Sequence, residues 1–394
     1  MKKALAAFLA VLLLGAWTQA AFAKPPNKPQ KPAAKKERVV EAPCQALIVT
    51  DAATGKVLEE QNAHERRGPA SITKLMVALI VMEKLARGEI KLEDKIRVTK
   101  EASKIGGSQV FLAEGEEFTL EEMIRAMMIA SANDAAYAIS EHIAGSSPEF
   151  VALMNERAKA LGMKDTEFHT VHGLPPGKDQ KEDLTSAYDL AILGRELLKH
   201  PKLLEWTATK SAGFREGKFG LNNTNKLLTK MPEVDGLKTG FYRACGFNIV
   251  ATAKKGELRF IVVVMGSPTG KIRDTVAMEK LRKYFAEYTV QPLVKKGEQV
   301  DKDVILDDGK FRKLKGIAAA DLSVPVLRGK KKEVKRTINL PARLAGEVRQ
   351  GQKLGELVFE LDNEVVGRVD IVTPVYVPKA NLFTRLIRKL GLNI

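Results

Sequence analysis

Three short stretches of the chain carry side chains that can make and break acyl bonds. Ser71-Ile72-Thr73-Lys74 follows Pro69 at the head of an apolar run. At an i to i+3 spacing on a helix, the serine hydroxyl and the lysine amine share one face, a turn apart. An alcohol is a weak nucleophile until a base takes its proton, and a neutral lysine amine is such a base. Ser131-Ala132-Asn133 sits in a polar break between two helical runs, and Lys238-Thr239-Gly240 ends a β-rich segment ahead of a second strand. Each also has a plain structural reading: Ser71 as a helix N-cap, Ser131 to Asn133 as the junction of two helices, Lys238 to Gly240 as an ordinary hairpin edge. Their weight comes from occurring as a set, in this order, each in the element its chemistry needs.

The elements that must hold them are legible from periodicity. Two β-rich runs flank the turn Asp51-Ala52-Ala53-Thr54-Gly55 and predict a hairpin. Helical patterns cover Ser71 to Ala86, ended by Gly88, then Leu120 to Ala130, Asp134 to Ala144, Pro148 to Leu161 and Ser186 to Leu198. Strand character returns over 233–239, 246–253 and 258–265, and a helix over 271–288 closes the segment. Strands at both ends of a helical middle predict an antiparallel sheet with helices packed on it, an α/β sandwich spanning 39–290. Residues 291–377 read as a small, separate all-β domain. In 378–394, Leu382, Phe383, Leu386, Ile387 and Leu390 fall on one helical face with Arg385, Arg388 and Lys389 elsewhere, an amphipathic basic helix.

The whole chain has 394 residues, 45% of them hydrophobic, two cysteines and a formal net charge of +16. This excludes a disulfide-framework miniprotein and a multi-pass membrane protein. The charge is unevenly spread: residues 39–290 hold 35 basic against 34 acidic residues, whereas 24–38 hold six against one and 378–394 four against none. A near-neutral central segment gives no sign of a nucleic-acid partner. Residues 1–23 read as an export signal with a small-residue cleavage site at Ala21-Phe22-Ala23, and 24–38 as a Pro/Lys-rich tether. In an extracytoplasmic compartment Cys44 and Cys245 have the opportunity to pair, although sequence does not show that they meet.

Taken together, S-x-x-K opening a helix, S-x-N between helices and K-T-G on an edge strand resemble the active-site set of the penicillin-recognising serine acyltransferases. More closely, the chain resembles the low-molecular-mass penicillin-binding proteins that act as D-alanyl-D-alanine carboxypeptidases. The stretches GKVL..QNA, PASITK, LMN..A..LGM, TVHGL and VDG.KTG, and the downstream β domain with its terminal helix, extend the likeness over nearly the whole mature chain. The resemblance implies a β-lactamase/transpeptidase-like sandwich, peptidoglycan pentapeptide stems as substrate, β-lactam antibiotics as covalent ligands, and no cofactor or metal. It implies Ser71 as nucleophile, Lys74 as its base and Ser131 as the relay of a proton to the leaving amine. Asn133 would hold the substrate's peptide carbonyl or side chain, and Lys238, Thr239 and Arg273 its terminal carboxylate. Gly240 would let the substrate backbone approach, and the N–H groups of Ser71 and Phe241 would form the oxyanion hole. Some relatives have histidine where Phe241 stands.

The resemblance also implies a place: the outer face of the cytoplasmic membrane, held at its surface by the C-terminal helix. Three other readings use the same residues: a β-lactamase, a D,D-endopeptidase and a catalytically silent wall-binding protein. A β-lactamase of class A needs a glutamate to activate the deacylating water, and none stands out between Asn133 and Lys238. His169 and His172 lack the neighbours of a metal site. Met123, Met127 and Met128 have the spacing of a helix core, and no phosphate loop follows a strand.

Overall fold

The computed structural model describes residues 43–361 and 364–389. The export signal expected over 1–23, the tether over 24–38 and Leu390 lie outside them.

The chain opens with the expected hairpin, β1 (Ala46–Asp51) and β2 (Val57–Gln61), followed by a 3-10 turn (Ala70–Thr73) and α1 (Lys74–Ala86). Next come β3 (Lys95–Arg97), α2 (Lys100–Ser103) and β4 (Glu117–Thr119). A run of helices follows: α3 (Leu120–Ile129), α4 (Asn133–Ala144), α5 (Ser147–Ala160), α6 (Ala187–Leu197) and α7 (Pro201–Ala208). A small hairpin, β5 (Ser211–Phe214) and β6 (Phe219–Asn222), and α8 (Leu227–Lys230) lead to β7 (Val234–Tyr242), β8 (Gly246–Lys255), β9 (Leu258–Ser267) and α9 (Gly270–Glu287). Local signals mark the boundaries. Thr119 and Glu122 form a reciprocal capping box on α3, while Ser146, Ser186 and Thr269 cap α5, α6 and α9 through their side chains. Gly145, with a φ of 81°, ends α4 in the left-handed conformation that suits glycine.

Five strands make one antiparallel sheet in the order β2-β1-β9-β8-β7. Because side chains alternate along a strand, β9 serves two cores at once. Phe260, Val262 and Val264 pack with Leu47, Val49 and Ile249 against Leu281 and Phe285 of α9. Ile261, Val263 and Met265 join Ile48, Val250 and Leu237 in the larger core shared with α1, α3, α4 and α6. A strand covered on both faces must be apolar throughout, which is why its sequence reads as an unbroken run.

Downstream, β10 (Tyr288–Val294), β11 (Gln299–Leu306), β12 (Lys313–Ala318), β13 (Leu322–Leu327), β14 (Lys335–Asn339), β15 (Arg343–Leu344), β16 (Lys353–Leu361) and β17 (Glu364–Val372) precede α10 (Leu382–Lys389). β10 pairs with β13, and six strands form a second sheet in the order β14-β16-β17-β12-β11-β15. This all-β part has its own core, centred on Val300, Val304, Leu306, Leu357, Phe359 and Ile371.

The structure amends the expected elements in three places. The helix expected from Ser71 begins at Lys74, because residues 70–73 wind as a tighter 3-10 turn. The strand expected to end at Thr239 runs on to Tyr242, so Lys238-Thr239-Gly240 lies inside an edge strand rather than at its end. Helix α7 and the short strands β5, β6, β10, β12, β13 and β15 had no clear sequence signal, being short and partly exposed. Both cysteines are buried and free.

Phe260 is fully buried and touches the rings of Tyr284, Phe285 and Tyr288. Phe260→Ala is expected to lower unfolding free energy by about 3–5 kcal/mol, measured by denaturant titration, with α9 losing its hold on the sheet.

Candidate active site

The three motifs meet at the edge formed by β7, the 3-10 turn and the α3–α4 junction. In a 3-10 turn residues i and i+3 nearly eclipse, and Lys74 Nζ lies 2.9 Å from Ser71 Oγ. The same amine donates to the His172 carbonyl at 2.7 Å, and the lysine side chain is completely buried. Burial holds its pKa well below the ordinary lysine value, and the charge of Lys238 pushes the same way, against the pull of Asp183 and Asp134. A neutral amine keeps an N–H for the His172 carbonyl and also offers a lone pair, so the Ser71 hydroxyl can then hand its proton to Nζ along the existing contact.

A second lysine and serine face the first pair. Lys238 Nζ donates to Ser131 Oγ at 2.9 Å and to the Thr239 carbonyl at 3.0 Å. Burial, aided by the charge of Arg273, lowers its pKa to about 7. Ser131 sits at a φ of 64°, a left-handed conformation that a non-glycine residue adopts at some cost, on the order of 1–3 kcal/mol. That backbone turn aims Oγ at Lys238 before α4 starts.

Asn133 opens α4. Its Nδ2 donates to the Gly106 carbonyl at 2.7 Å, and its Oδ1 is buried with no partner among the described residues. The unsatisfied atom is an acceptor and therefore suits an incoming N–H. Thr239 Oγ1 donates to Thr224 Oγ1 at 2.8 Å. Phe241 is 52% exposed at the edge of the site, its ring stacked on Phe247 at 4.0 Å.

Two expected residues stand differently from the reading above. A Cβ on Gly240 would fall 2.4 Å from the Pro69 carbonyl oxygen and 3.1 Å from the Ser71 nitrogen. The chain's own turn therefore already requires glycine at this position. Arg273 is buried with its Nε and Nη2 both on Asp274 Oδ1, at 3.1 and 2.7 Å, and its Nη1 directed at the Asn248 carbonyl at 3.4 Å. It reaches the site as a charge that acts on Lys238.

A buried serine–lysine pair thus stands beside a second such pair on an edge strand. Residues 31–269 match the family model described as D-alanyl-D-alanine carboxypeptidase. The chain belongs to the D-alanyl-D-alanine carboxypeptidase family. Residues 288–379 match the Penicillin-binding protein 5, C-terminal domain. A D-alanyl-D-alanine carboxypeptidase of Bacillus subtilis, DacF, is 38% identical over 99% of this chain and 98% of its own length. Penicillin-binding protein 5 of Haemophilus influenzae superposes with a TM-score of 0.67 at 30% identity, over 85% of this chain and 98% of that one. Penicillin-binding protein D2 of Listeria monocytogenes, solved in its ampicillin-bound form, matches with a TM-score of 0.55 at 30% identity, over 61% of this chain and 96% of that one.

Within this carboxypeptidase scaffold, several residues that sequence reasoning passed over hold the motifs in place. Asp183 accepts from the backbone N–H groups of His169 and Thr170 and from the hydroxyls of Thr170 and Thr73, tying the loop that presents His172 to the turn that presents Ser71. Gly173, at a φ of 73°, lies so close to the Ala70 carbonyl that a Cβ would fall 1.9 Å from its oxygen. Asn248 donates to the Gly68 carbonyl at 2.9 Å and accepts from Gly266 N–H at 2.8 Å, pinning the sheet to the residues before the nucleophile. An asparagine inside the apolar strand GFNIVATA was the available signal for Asn248; Asp183 offered none.

These pKa directions set a pH profile. If Lys74 serves as the base and Lys238 as the seat of the reagent's carboxylate, acylation by a penicillin should rise with pH as Lys74 loses its proton, then fall above about 7 as Lys238 loses its charge. A methyl ester of the same penicillin lacks that carboxylate and should show only the rising limb. Second-order acylation rates for the two reagents across pH check this; identical profiles would contradict it.

Proposed function

We propose that the protein removes the terminal D-alanine from peptidoglycan pentapeptide stems through a serine-type acyl-enzyme. The observation that carries the reading is the fully buried Lys74 amine, 2.9 Å from Ser71 Oγ and held low in pKa. In this reading the catalytic unit ends near residue 290 and the all-β part over 291–377 is a spacer. Ser71 Oγ attacks the carbonyl carbon of the penultimate D-alanine while its proton passes to Lys74. The N–H groups of Ser71 and Phe241 receive the developing oxyanion. As the C–N bond breaks, the proton taken by Lys74 is relayed through Ser131 to the departing amine, with Ser131 held by its contact with Lys238 at 2.9 Å. Water then adds to the ester carbon as its proton passes to Lys74, the bond from that carbon to Ser71 Oγ breaks as Lys74 returns the proton to Oγ, and the shortened stem leaves.

Lys238, with Thr239 beside it, takes the terminal carboxylate, and Arg273 supports this from behind through its charge. Asn133 Oδ1 takes a substrate N–H, an assignment that follows the orphaned acceptor rather than the carbonyl contact first expected. β-Lactams acylate the same serine, a reading supported by the ampicillin-bound Listeria relative. The protein works outside the cytoplasm, with α10 lying in the plane of the membrane surface. Leu382 and Phe383 of that helix are 81% and 71% exposed, and no described helix is long and apolar enough to cross a membrane.

Labelling with a fluorescent penicillin should give a covalent adduct that Ser71→Ala abolishes, and the same substitution should lower D-alanine release by about 10⁴-fold or more. An adduct that survives Ser71→Ala would contradict the assignment, and rapid turnover of the penicillin itself would mark a β-lactamase. Deleting residues 379–394 should move the protein from the membrane to the soluble fraction with D-alanine release intact.

A further inference from the structure

We infer that the cavity between the β11–β12 turn and the start of α10 is a phosphate site, filled by the headgroup phosphate of an anionic phospholipid. The inference rests on the membrane-facing reading of α10 proposed above and gives that surface a specific ligand.

The cavity encloses about 370 Å³ and is lined by Asp307, Asp308, Arg312, Arg343 and Arg385. Three guanidinium groups thus face two carboxylates. Arg343 places Nε and Nη2 on Asp307 Oδ1, at 3.0 and 2.6 Å, and Arg385 of α10 places Nε on Asp308 Oδ1 at 3.2 Å. Arg312 lies near enough to Asp307 for its charge to act on that carboxylate, but it joins neither hydrogen-bonded pair. Its Nη1 is shielded from solvent and has no hydrogen-bond partner among the described residues. A buried guanidinium nitrogen without an acceptor is costly, and a cavity whose three guanidiniums outnumber its two carboxylates is completed by an anion.

The geometry favours phosphate. The unpartnered Arg312 Nη1, with the guanidiniums of Arg343 and Arg385 beside it, matches its charged oxygens, and each such bond is charge-assisted. The site is also tied to the terminal helix: Ala380 N–H donates to the Asp308 carbonyl at 2.7 Å and Lys310 N–H to the Pro378 carbonyl at 2.8 Å. Leu382 and Phe383, 81% and 71% exposed, follow directly. A phosphate seated among the arginines would therefore have apolar side chains next to the rest of its molecule, which is the amphipathic demand of a phospholipid. Free inorganic phosphate shares the headgroup chemistry and is separated from it by experiment.

The test uses the full mature chain with Arg312→Gln, Arg312→Lys and, as a control that removes one charge from an exposed position on the same turn, Lys310→Gln. Partition onto phosphatidylcholine vesicles containing phosphatidylglycerol is compared with partition onto pure phosphatidylcholine. Arg312→Gln is expected to weaken binding to the anionic vesicles by about tenfold. Arg312→Lys should weaken it nearly as much, since lysine keeps the charge but not the fork. If Arg312→Lys binds like the unaltered chain, or Arg312→Gln loses no more than Lys310→Gln, the attraction is diffuse and the site is refuted.

Inorganic phosphate, read by its upward shift of the unfolding temperature, forms the second arm. Stabilisation that disappears in Arg312→Gln, with vesicle binding indifferent to Arg312, would keep the phosphate site and overturn the lipid as its source. Vesicle binding lost on deleting 379–394 but indifferent to Arg312 in both arms would refute the site and leave the anchor standing. Phosphate binding that depends on Arg312, in a chain whose membrane association survives the deletion, would do the reverse. Far-ultraviolet circular dichroism and an unchanged unfolding temperature without phosphate verify that the Arg312 variants fold, since their site lies in the all-β part, which has its own core.

Discussion

An ammonium group buried in a protein interior is unfavourable unless it loses its charge or gains compensating partners, and this molecule buries two within reach of each other's field. Lys74 and Lys238 are both shut away from water, each against a serine hydroxyl. Much of the surrounding structure serves to keep them so. The sheet edge, the α3–α4 junction and the loop carrying His172 close over the amines, while Asp183 and Asp134 lie near enough to temper the repulsion without pairing directly with either. The consequence is chemical: an amine kept neutral is a base, and a second amine poised to carry charge is a seat for an anion.

Backbone contacts as much as side chains decide where the nucleophile sits. Gly173 and Gly240 press on the Pro69–Ser71 turn from two sides, each at a distance that no side chain would tolerate. Asn248 holds Gly68 just upstream. Ser131 and Ala70 accept left-handed conformations that glycine would adopt more readily. These are costs concentrated around the reacting atoms, and the two-sided core of β9 supplies the packing that can bear them. Removing any one of these clamps would leave the motif residues present in sequence yet displaced in space.

The downstream β part shows the same logic at lower stakes. Its strands are short, its core is smaller, and its surface carries many ion pairs whose members are largely exposed, each contributing little to stability. The chain's excess of positive charge lies toward its ends rather than in the residues 39–290 that hold the serine–lysine pairs. At Arg312, Arg343 and Arg385 that excess is gathered into a cavity rather than spread over a face.

Much of this was legible in the sequence. Residue types at i and i+3 named Ser71 and Lys74, an unbroken apolar run named β9, and capping residues such as Thr119 and Ser186 marked helix starts, because these signals are local and the backbone obeys them locally. The segregation of charge away from residues 39–290 was likewise a matter of counting. What tertiary structure alone decided was everything that depends on distant segments meeting. It moved the start of α1 to Lys74 and carried β7 through the third motif to Tyr242. It gave Gly240 to the chain's own turn, placed Asp183 between two loops, and turned Arg273 onto Asp274. Burial, field and close approach arise between residues far apart in the chain, so their effects on pKa and on which atoms remain unsatisfied have no counterpart in spacing or composition.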